Sequence, residues 1–277
     1  MKTIKTVSEM QDCRKTLAEP VGFVPTMGYL HGGHISLVRK AREENVSVVV
    51  SIFVNPKQFG PNEDFEKYPR DLQGDLEILE EEGVDAVFAP EAAEIYPQDF
   101  NSRVEVLGIT QKLEGNCRPG HFRGVTTVVN KLFNIVRPQR AYFGQKDAQQ
   151  VIVIQKMVKD LNMNLEVITC PTIREEDGLA MSSRNIYMNP EERQSAIVLY
   201  RSLMLAQDMY QRGERDAEAI RKEMVRLIKT EELARIDYVS VADPATLDEL
   251  DMITGKALVS LAVKFGKTRL IDNVVLG

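Results

Sequence analysis

The chain has no tryptophan, only three histidines and only three cysteines. No stretch approaches the ~18 consecutive apolar residues of a membrane-spanning helix, so no span is expected. Nor is there a basic excess: 35 Lys and Arg stand against 41 Asp and Glu, for a net charge of −6. That balance argues against a general binder of nucleic acid or of membrane surfaces. Cys13, Cys117 and Cys170 are scattered and odd in number, unlike a disulfide framework or a zinc cage. They fit the reduced thiols of a cytoplasmic protein. The first ten residues lack the apolar core of a secretory signal. There is also no internal repeat and no low-complexity segment. What is present is an ordinary globular composition over 277 residues, 43% hydrophobic and 27% charged. The length fits one large domain or two ordinary ones.

The first half alternates strand-like and helix-like segments. Residues 21–26 form a short apolar run ending in a glycine-rich turn. A helix is expected over 34–44, with Ile35, Leu37, Val38 and Ala41 facing inward. Residues 46–54 are almost continuously apolar and β-branched, as in a strand buried on both faces of a parallel sheet. A helix over 72–82 stops at Gly83, and a short strand over 84–88 follows. Apolar residues at 125, 128, 129, 132, 133 and 136 make a helical stripe that Pro138 ends. Strands at 141–143 and 165–169 flank a helix at 147–161. This alternation predicts a Rossmann-like, doubly wound parallel sheet over residues 1–174. Beyond it, one helix from Asn189 to about Arg212 and a second over 216–229 precede strands at 236–242, 257–265 and 269–276. Residues 175–277 are therefore expected to form a smaller α+β domain with an antiparallel sheet.

Four constellations have the residue types for chemistry. Residues 25–34, Pro-Thr-Met-Gly-Tyr-Leu-His-Gly-Gly-His, join the first core strand to a helix. Ligands of open α/β sheets bind at the carboxyl ends of the strands, and helix amino termini attract anions. Glycines there permit close backbone approach, and two imidazoles three residues apart can donate to a phosphoryl oxygen. The same residues also fit a glycine-rich connection with two surface histidines. A two-histidine metal site lacks a third ligand at usual spacing, and the Gly-x-Gly-x-x-Gly fingerprint is absent. The second constellation, Gly178 to Asn185, places two serines beside Arg184, suited to a polyphosphate but also to a plain polar loop. The third, Tyr142 to Asp147, puts Lys146 at a strand-to-helix junction, where Asp147 can cap the helix. The fourth, Phe53 to Gly60, carries Gln58, with donors and acceptors for a hydroxy acid, after an Asn-Pro turn. Three of the four follow core strands and so converge on one sheet edge; the fourth lies at the domain boundary, where it could close over that edge.

The HxGH turn together with Met181-Ser182-Ser183-Arg184 resembles the HIGH/KMSKS nucleotidylyltransferase superfamily. Within it, the chain resembles the pantoate–β-alanine ligases. Residues 25–34, 51–70, 118–138, 142–150, 177–185 and 255–277 carry the resemblance, which covers nearly the whole chain. It implies an AMP-forming ligase that makes pantoyl adenylate from ATP and pantoate, then pantothenate from the adenylate and β-alanine. It also implies Mg²⁺, a cytoplasmic homodimer and a carboxyl-terminal lid. By the same resemblance Met27, Gly28, Tyr29, Leu30, His31, Gly32, Gly33 and His34 line the ATP site, with Gly144, Gln145, Lys146, Asp147, Ile173, Met181, Ser182, Ser183 and Arg184. His34 is the residue usually assigned as proton donor, and His31, Lys146 and Arg184 complete the catalytic set. Gln58 and Gln150 hold pantoate, with Gln58 also near β-alanine.

The chain departs from the family in two places. Gln145 stands where the family usually has glutamate. Gly74-Asp75 stands where some members carry consecutive metal-binding aspartates. Asp75 is thus a candidate metal ligand or part of a solvated helix face. His121 either contributes to the substrate site or anchors a surface loop. Two rival readings are another transferase of the same superfamily and a non-catalytic nucleotide binder. The first fits Gln58 and Gln150 less well, and the second has no use for His31, His34 and Lys146.

Overall fold

The computed structural model describes residues 1–61 and 63–277. The chain divides into two compact units. The first holds residues 1–107, 118–145 and 149–171; the second holds 108–117, 146–148 and 172–277. That the two short segments, 108–117 and 146–148, group with the second unit is not visible in the sequence pattern.

The first unit is built on six parallel strands: β1 (Lys2–Ile4), β2 (Val21–Thr26), β3 (Ser47–Ile52), β4 (Ala86–Phe88), β5 (Arg140–Gly144) and β6 (Glu166–Cys170). Their order is β1-β4-β3-β2-β5-β6. The chain steps outward from β2 through β3 to β4, then returns to β5 on the other side of β2. The order therefore reverses between β2 and β5, the topological switch point at which open α/β sheets bind ligands. β2 pairs with β3 over their full lengths, from Val21 opposite Ser47 to Thr26 opposite Ile52.

Helices α1 (Val7–Thr16), α2 (Gly32–Glu44), α3 (Leu72–Glu81), α4 (Ala92–Ile95), α5 (Glu114–Cys117), α6 (His121–Val136) and α7 (Ala148–Asp160) follow in chain order. On one face of the sheet, Leu37, Val38 and Ala41 of α2 pack with Leu79 of α3 against Val24, Val48, Val50 and Tyr142. On the other, Phe133 of α6 meets Phe23 and Phe143 edge-on, with ring centroids 6.4 Å apart in both pairs. The predicted stripe of α6 is buried at every position named. Covering both faces is what lets β3 be apolar without alternation.

The second unit contains α8 (Pro190–Ser195), α9 (Val198–Gln211), α10 (Ala217–Ile228) and the antiparallel strands β7 (Ala234–Ala242), β8 (Ala257–Phe265) and β9 (Thr268–Leu276). Leu199, Leu203 and Ala206 of α9 and Ile220, Met224 and Ile228 of α10 cover the sheet through Val259, Leu261 and Val263. The single helix expected from Asn189 to Arg212 is interrupted. Asn189 caps α8 as expected, but the ladder tightens where Leu199 N–H donates to Ala196 three residues back. Ala196, Val198 and Leu199 at this junction are all buried. Among the described residues no helix is long and apolar enough to cross a membrane.

The start of α6 lies against a tight turn after β3, residues Pro56–Gln58. A Cβ on Gly124 would come within 2.2 Å of the Lys57 carbonyl oxygen. That approach requires glycine, because neither backbone can retreat. Gly124→Ala is therefore expected to destabilise the first unit by about 2–3 kcal/mol, read as a lower urea midpoint. An unchanged midpoint would mean that the helix and the turn separate freely.

Candidate active site

The loops after β2, β3 and β5 leave three adjacent parallel strands at the same edge. The loop after β2 opens with two left-handed residues, Gly28 at φ +81° and Tyr29 at φ +53°. For tyrosine this conformation is unfavourable by about 1–2 kcal/mol. Asp75, in the first turn of α3, compensates: one carboxylate oxygen accepts from Tyr29 N–H at 2.8 Å and the other from Leu30 N–H at 2.7 Å. A Cβ on Gly28 would lie 2.9 Å from the first of these oxygens, so the position is closed to other residues. Asp75 is only 3% exposed. Burial pushes its carboxyl above the usual range, and the N–H groups of Leu30 and Tyr29 pull against that shift. The solvated helix face expected for Asp75 is thus corrected. Each carboxylate oxygen is engaged by one loop N–H. Among the described residues no group of three or more His, Cys, Asp or Glu side chains is placed to bind a metal ion.

The helix expected from residue 34 starts two residues earlier, at Gly32, because His31 caps it. His31 Nδ1 accepts from Gly33 N–H at 3.1 Å, and His34 Nδ1 accepts from His31 N–H at 3.4 Å. The two imidazoles lie with centroids 4.1 Å apart, on one side of the first helical turn, as their spacing predicts. An Nδ1 that accepts from backbone cannot carry a proton in the neutral ring, so in both rings the proton sits on Nε2. No acidic residue occupies the first turn of α2, which leaves the positive end of its dipole unopposed from within the helix.

After β3, Asn55 is 1% exposed and organises the turn. Its Nδ2 donates to the Gly124 carbonyl at 3.1 Å and to Gln58 Oε1 at 3.0 Å, and Tyr96 Oη donates to its Oδ1 at 2.8 Å. Because a carbonyl can only accept, the Gly124 contact fixes which end of the Asn55 amide is nitrogen. The Gln58 oxygen then faces Asn55, and its Nε2 lies 3.2 Å from Met27 Sδ. The loops after β2 and β3 are thereby joined through Gln58. Sequence reasoning does not single out Asn55 as a site residue. The Asn-Pro pair reads as a turn signal, and only the fold shows what the amide holds. His121 Nδ1 lies 2.8 Å from the Gln58 carbonyl oxygen, so this histidine anchors the loop that carries Gln58.

After β5, Gly144 leads into a tight turn, Gln145–Asp147, and then α7, whose first turn carries the half-buried Gln150. In the second unit, the Lys146 carbonyl accepts from Asn273 Nδ2 on β9 at 2.9 Å, and Lys146 Nζ lies 3.7 Å from Asp147. Also in that unit, Ile173 and Met181 face each other across a small hairpin, Met181 N–H donating to the Ile173 carbonyl at 3.0 Å. Ser182 Oγ then caps the turn that carries the buried Ser183 and the half-buried Arg184. The hairpin is fixed to β9 by Arg174, which forks onto the buried Asp272 at 2.6 and 3.0 Å. Glu175 braces it further, accepting from Asn185 and Arg193 at 2.6 Å each. A cavity of about 480 Å³, lined by Arg14, Lys15, Arg137 and Gln139 among others, lies at the opposite edge of the sheet and touches none of these residues.

Fold and loops together define a Rossmann-like α/β protein with a histidine-capped turn leaving its central strand. The family model described as pantoate-beta-alanine ligase matches residues 2–275. A pantothenate synthetase of Acetivibrio thermocellus is 60% identical over all of this chain and 99% of the relative. One of Thermotoga petrophila is 56% identical over both whole chains. Among solved structures, a pantothenate synthetase of Thermus thermophilus superposes with a TM-score of 0.95 at 50% identity, covering 99% of each chain. The pantoate-beta-alanine ligase of Francisella tularensis, complexed with beta-gamma ATP and beta-alanine, gives 0.81 at 38% identity over 99% of this chain and 97% of that one. The chain belongs to the pantoate–β-alanine ligase family, and it is a ligase.

Removing the Asp75 carboxylate leaves two loop N–H groups without their acceptor. Asp75→Ala is expected to speed amide hydrogen exchange at Tyr29 and Leu30 by about 10- to 100-fold relative to the parent. Unchanged protection at both amides would show that the loop holds its shape without the carboxylate.

Proposed function

We propose that the chain condenses pantoate with β-alanine in two steps, using ATP and releasing pyrophosphate and AMP. The observation that carries this reading is the histidine-capped turn at the switch point, joined through Met27 to Gln58. In the first step a pantoate carboxylate oxygen attacks the α-phosphorus, and the bond from that phosphorus to pyrophosphate breaks. In the second the β-alanine amine, having lost a proton, attacks the acyl carbon and AMP leaves with the oxygen. Pantoate is already ionised near pH 7, so the first step needs no general base. It needs alignment and the neutralisation of charge on phosphoryl oxygens.

The Nε2–H groups of His31 and His34 are suited to donate to those oxygens, since the backbone fixes both tautomers. In this reading Met27 to His34, Gly144 to Asp147, Ile173 and Met181 to Arg184 contact ATP. Lys146 acts as a point charge, and Arg184 with Ser182 and Ser183 supplies donors to the phosphates. Gln58 and Gln150 hold pantoate, and Gln58 also meets β-alanine.

Magnesium enters as the ion that accompanies ATP, where it shields phosphate charge. Mg²⁺ usually keeps several waters and binds substrate phosphates with one or two carboxylates. Among the described residues no group of three or more His, Cys, Asp or Glu side chains forms a protein-built cage. No step is therefore routed through a protein-bound ion. A cytoplasmic homodimer belongs to the same proposal, on the strength of the family.

AMP and pantothenate should appear together only when ATP, pantoate and β-alanine are all supplied with Mg²⁺. Without β-alanine, labelled pyrophosphate should exchange into ATP only when pantoate is present. No turnover by folded protein with the full mixture would overturn the substrate assignment. His34→Ala is expected to lower kcat by about 10²- to 10³-fold with a smaller effect on pantoate binding. A large rise in pantoate KM at unchanged kcat would contradict its role as a donor to the transition state.

A further inference from the structure

We infer that His121 is a positioning residue for Gln58, holding it from below through one fixed tautomer; this rests on the reading of Gln58 as a pantoate contact. The Gln58 carbonyl oxygen can only accept, so the His121 Nδ1 facing it at 2.8 Å must carry the proton. The other ring nitrogen, Nε2, lies 3.2 Å from Arg118 Nη1. A guanidinium can only donate, so Nε2 presents its lone pair. Both neighbours thus require the same neutral form, Nδ1–H with Nε2 accepting. It is the opposite tautomer to the one the backbone imposes on His31 and His34.

Arg118 is itself held. It forks onto Glu63, Nε to Oε1 at 2.7 Å and Nη2 to Oε2 at 2.6 Å. Burial pushes the Glu63 carboxyl up, and the Arg118 hydrogen bonds and charge, with smaller contributions from the Gly60 backbone and His121, bring it below the usual value, so the carboxylate stays ionised at neutral pH. Arg118 Nη2 also reaches the Gln58 carbonyl at 3.5 Å. Glu63, Arg118 and His121 therefore clamp the loop carrying Gln58 to the first residues of α6.

Gln58 is consequently held at two ends. Asn55 fixes its side-chain oxygen and His121 its backbone carbonyl. The side-chain NH₂, one hydrogen of which faces Met27 Sδ at 3.2 Å, keeps its second hydrogen for a pantoate oxygen. His121 touches none of the reacting atoms. Its effect should fall on substrate placement, where small displacements are costly.

The test uses two substitutions of similar size and polarity. In His121→Asn the amide nitrogen can occupy the position of Nδ1 and keep the donor to Gln58. In His121→Gln the amide reaches the position of Nε2 and that donor is lost. The expected result for His121→Gln is a rise of about tenfold in pantoate KM, with kcat and ATP KM within about twofold of the parent. His121→Asn should stay within about threefold of the parent in all three. Gln58→Ala should raise pantoate KM by itself, and adding His121→Gln to it should change nothing further. Equal behaviour of the two His121 variants, a uniform loss in every kinetic constant, or additivity with Gln58→Ala would overturn the inference. If Gln58→Ala leaves pantoate KM unchanged, the reading of Gln58 falls and the inference with it. Nitrogen-15 NMR of the imidazoles in the parent protein separates the two failures, because it needs no substrate. His121 should show protonated Nδ1, and His31 and His34 protonated Nε2. Protonated Nε2 at His121 would overturn the inference and leave the proposed function standing.

Discussion

The site depends on one buried carboxylate. Asp75 accepts the N–H groups of Tyr29 and Leu30 and so holds the left-handed pair Gly28 and Tyr29 in place. Without that acceptor the strain at Tyr29 and the burial of two amide donors would both be uncompensated. With it, the chain turns sharply off β2, His31 reaches the cap position of α2, and His34 follows on the same side. The acceptor comes from α3, 45 residues beyond Leu30. The turn is therefore a tertiary structure, set by the packing of α3 against the sheet.

Much of the architecture is legible because it follows from periodicity. The uninterrupted apolar run of β3, the stripe on α6 and the antiparallel strands at the carboxyl end each carry their own local signature. Glu9 three residues after Thr6 is also a local signature, a capping box at the start of α1. It stands in the sequence as plainly as the Asn189 cap, yet the reading of strand and helix patterns assigns neither α1 nor the short strand β1. The converging loops are legible for a topological reason, since the carboxyl ends of parallel strands all lie at the same edge of the sheet.

What is not legible depends on partners distant in sequence. Asp75, beside Gly74 in the first turn of α3, reads as a solvent-facing acid, and nothing beside it announces the Gly28 turn. Glu114 and Arg269, 155 residues apart, form a two-pronged pair at 2.7 and 2.8 Å that ties α5 to β9. No composition window connects them. Asn55 likewise reads as half of an Asn-Pro turn, although its amide joins Gln58, Tyr96 and the backbone of α6. In each case the pattern marks the residue as polar and only the fold supplies its partner. His121 illustrates the same limit: its position beside Arg118 is visible, but the carbonyl beneath which it sits is not.

If an acyl adenylate forms, a pantoate oxygen must become bonded to the α-phosphorus. This is tested most directly by supplying pantoate labelled with oxygen-18 in its carboxylate, together with ATP, Mg²⁺ and β-alanine, and weighing the products by mass spectrometry. Attack through an acyl adenylate places one labelled oxygen in AMP and leaves pyrophosphate unlabelled. Unlabelled AMP, or label in pyrophosphate, would contradict the adenylate route and with it the roles given to His31 and His34.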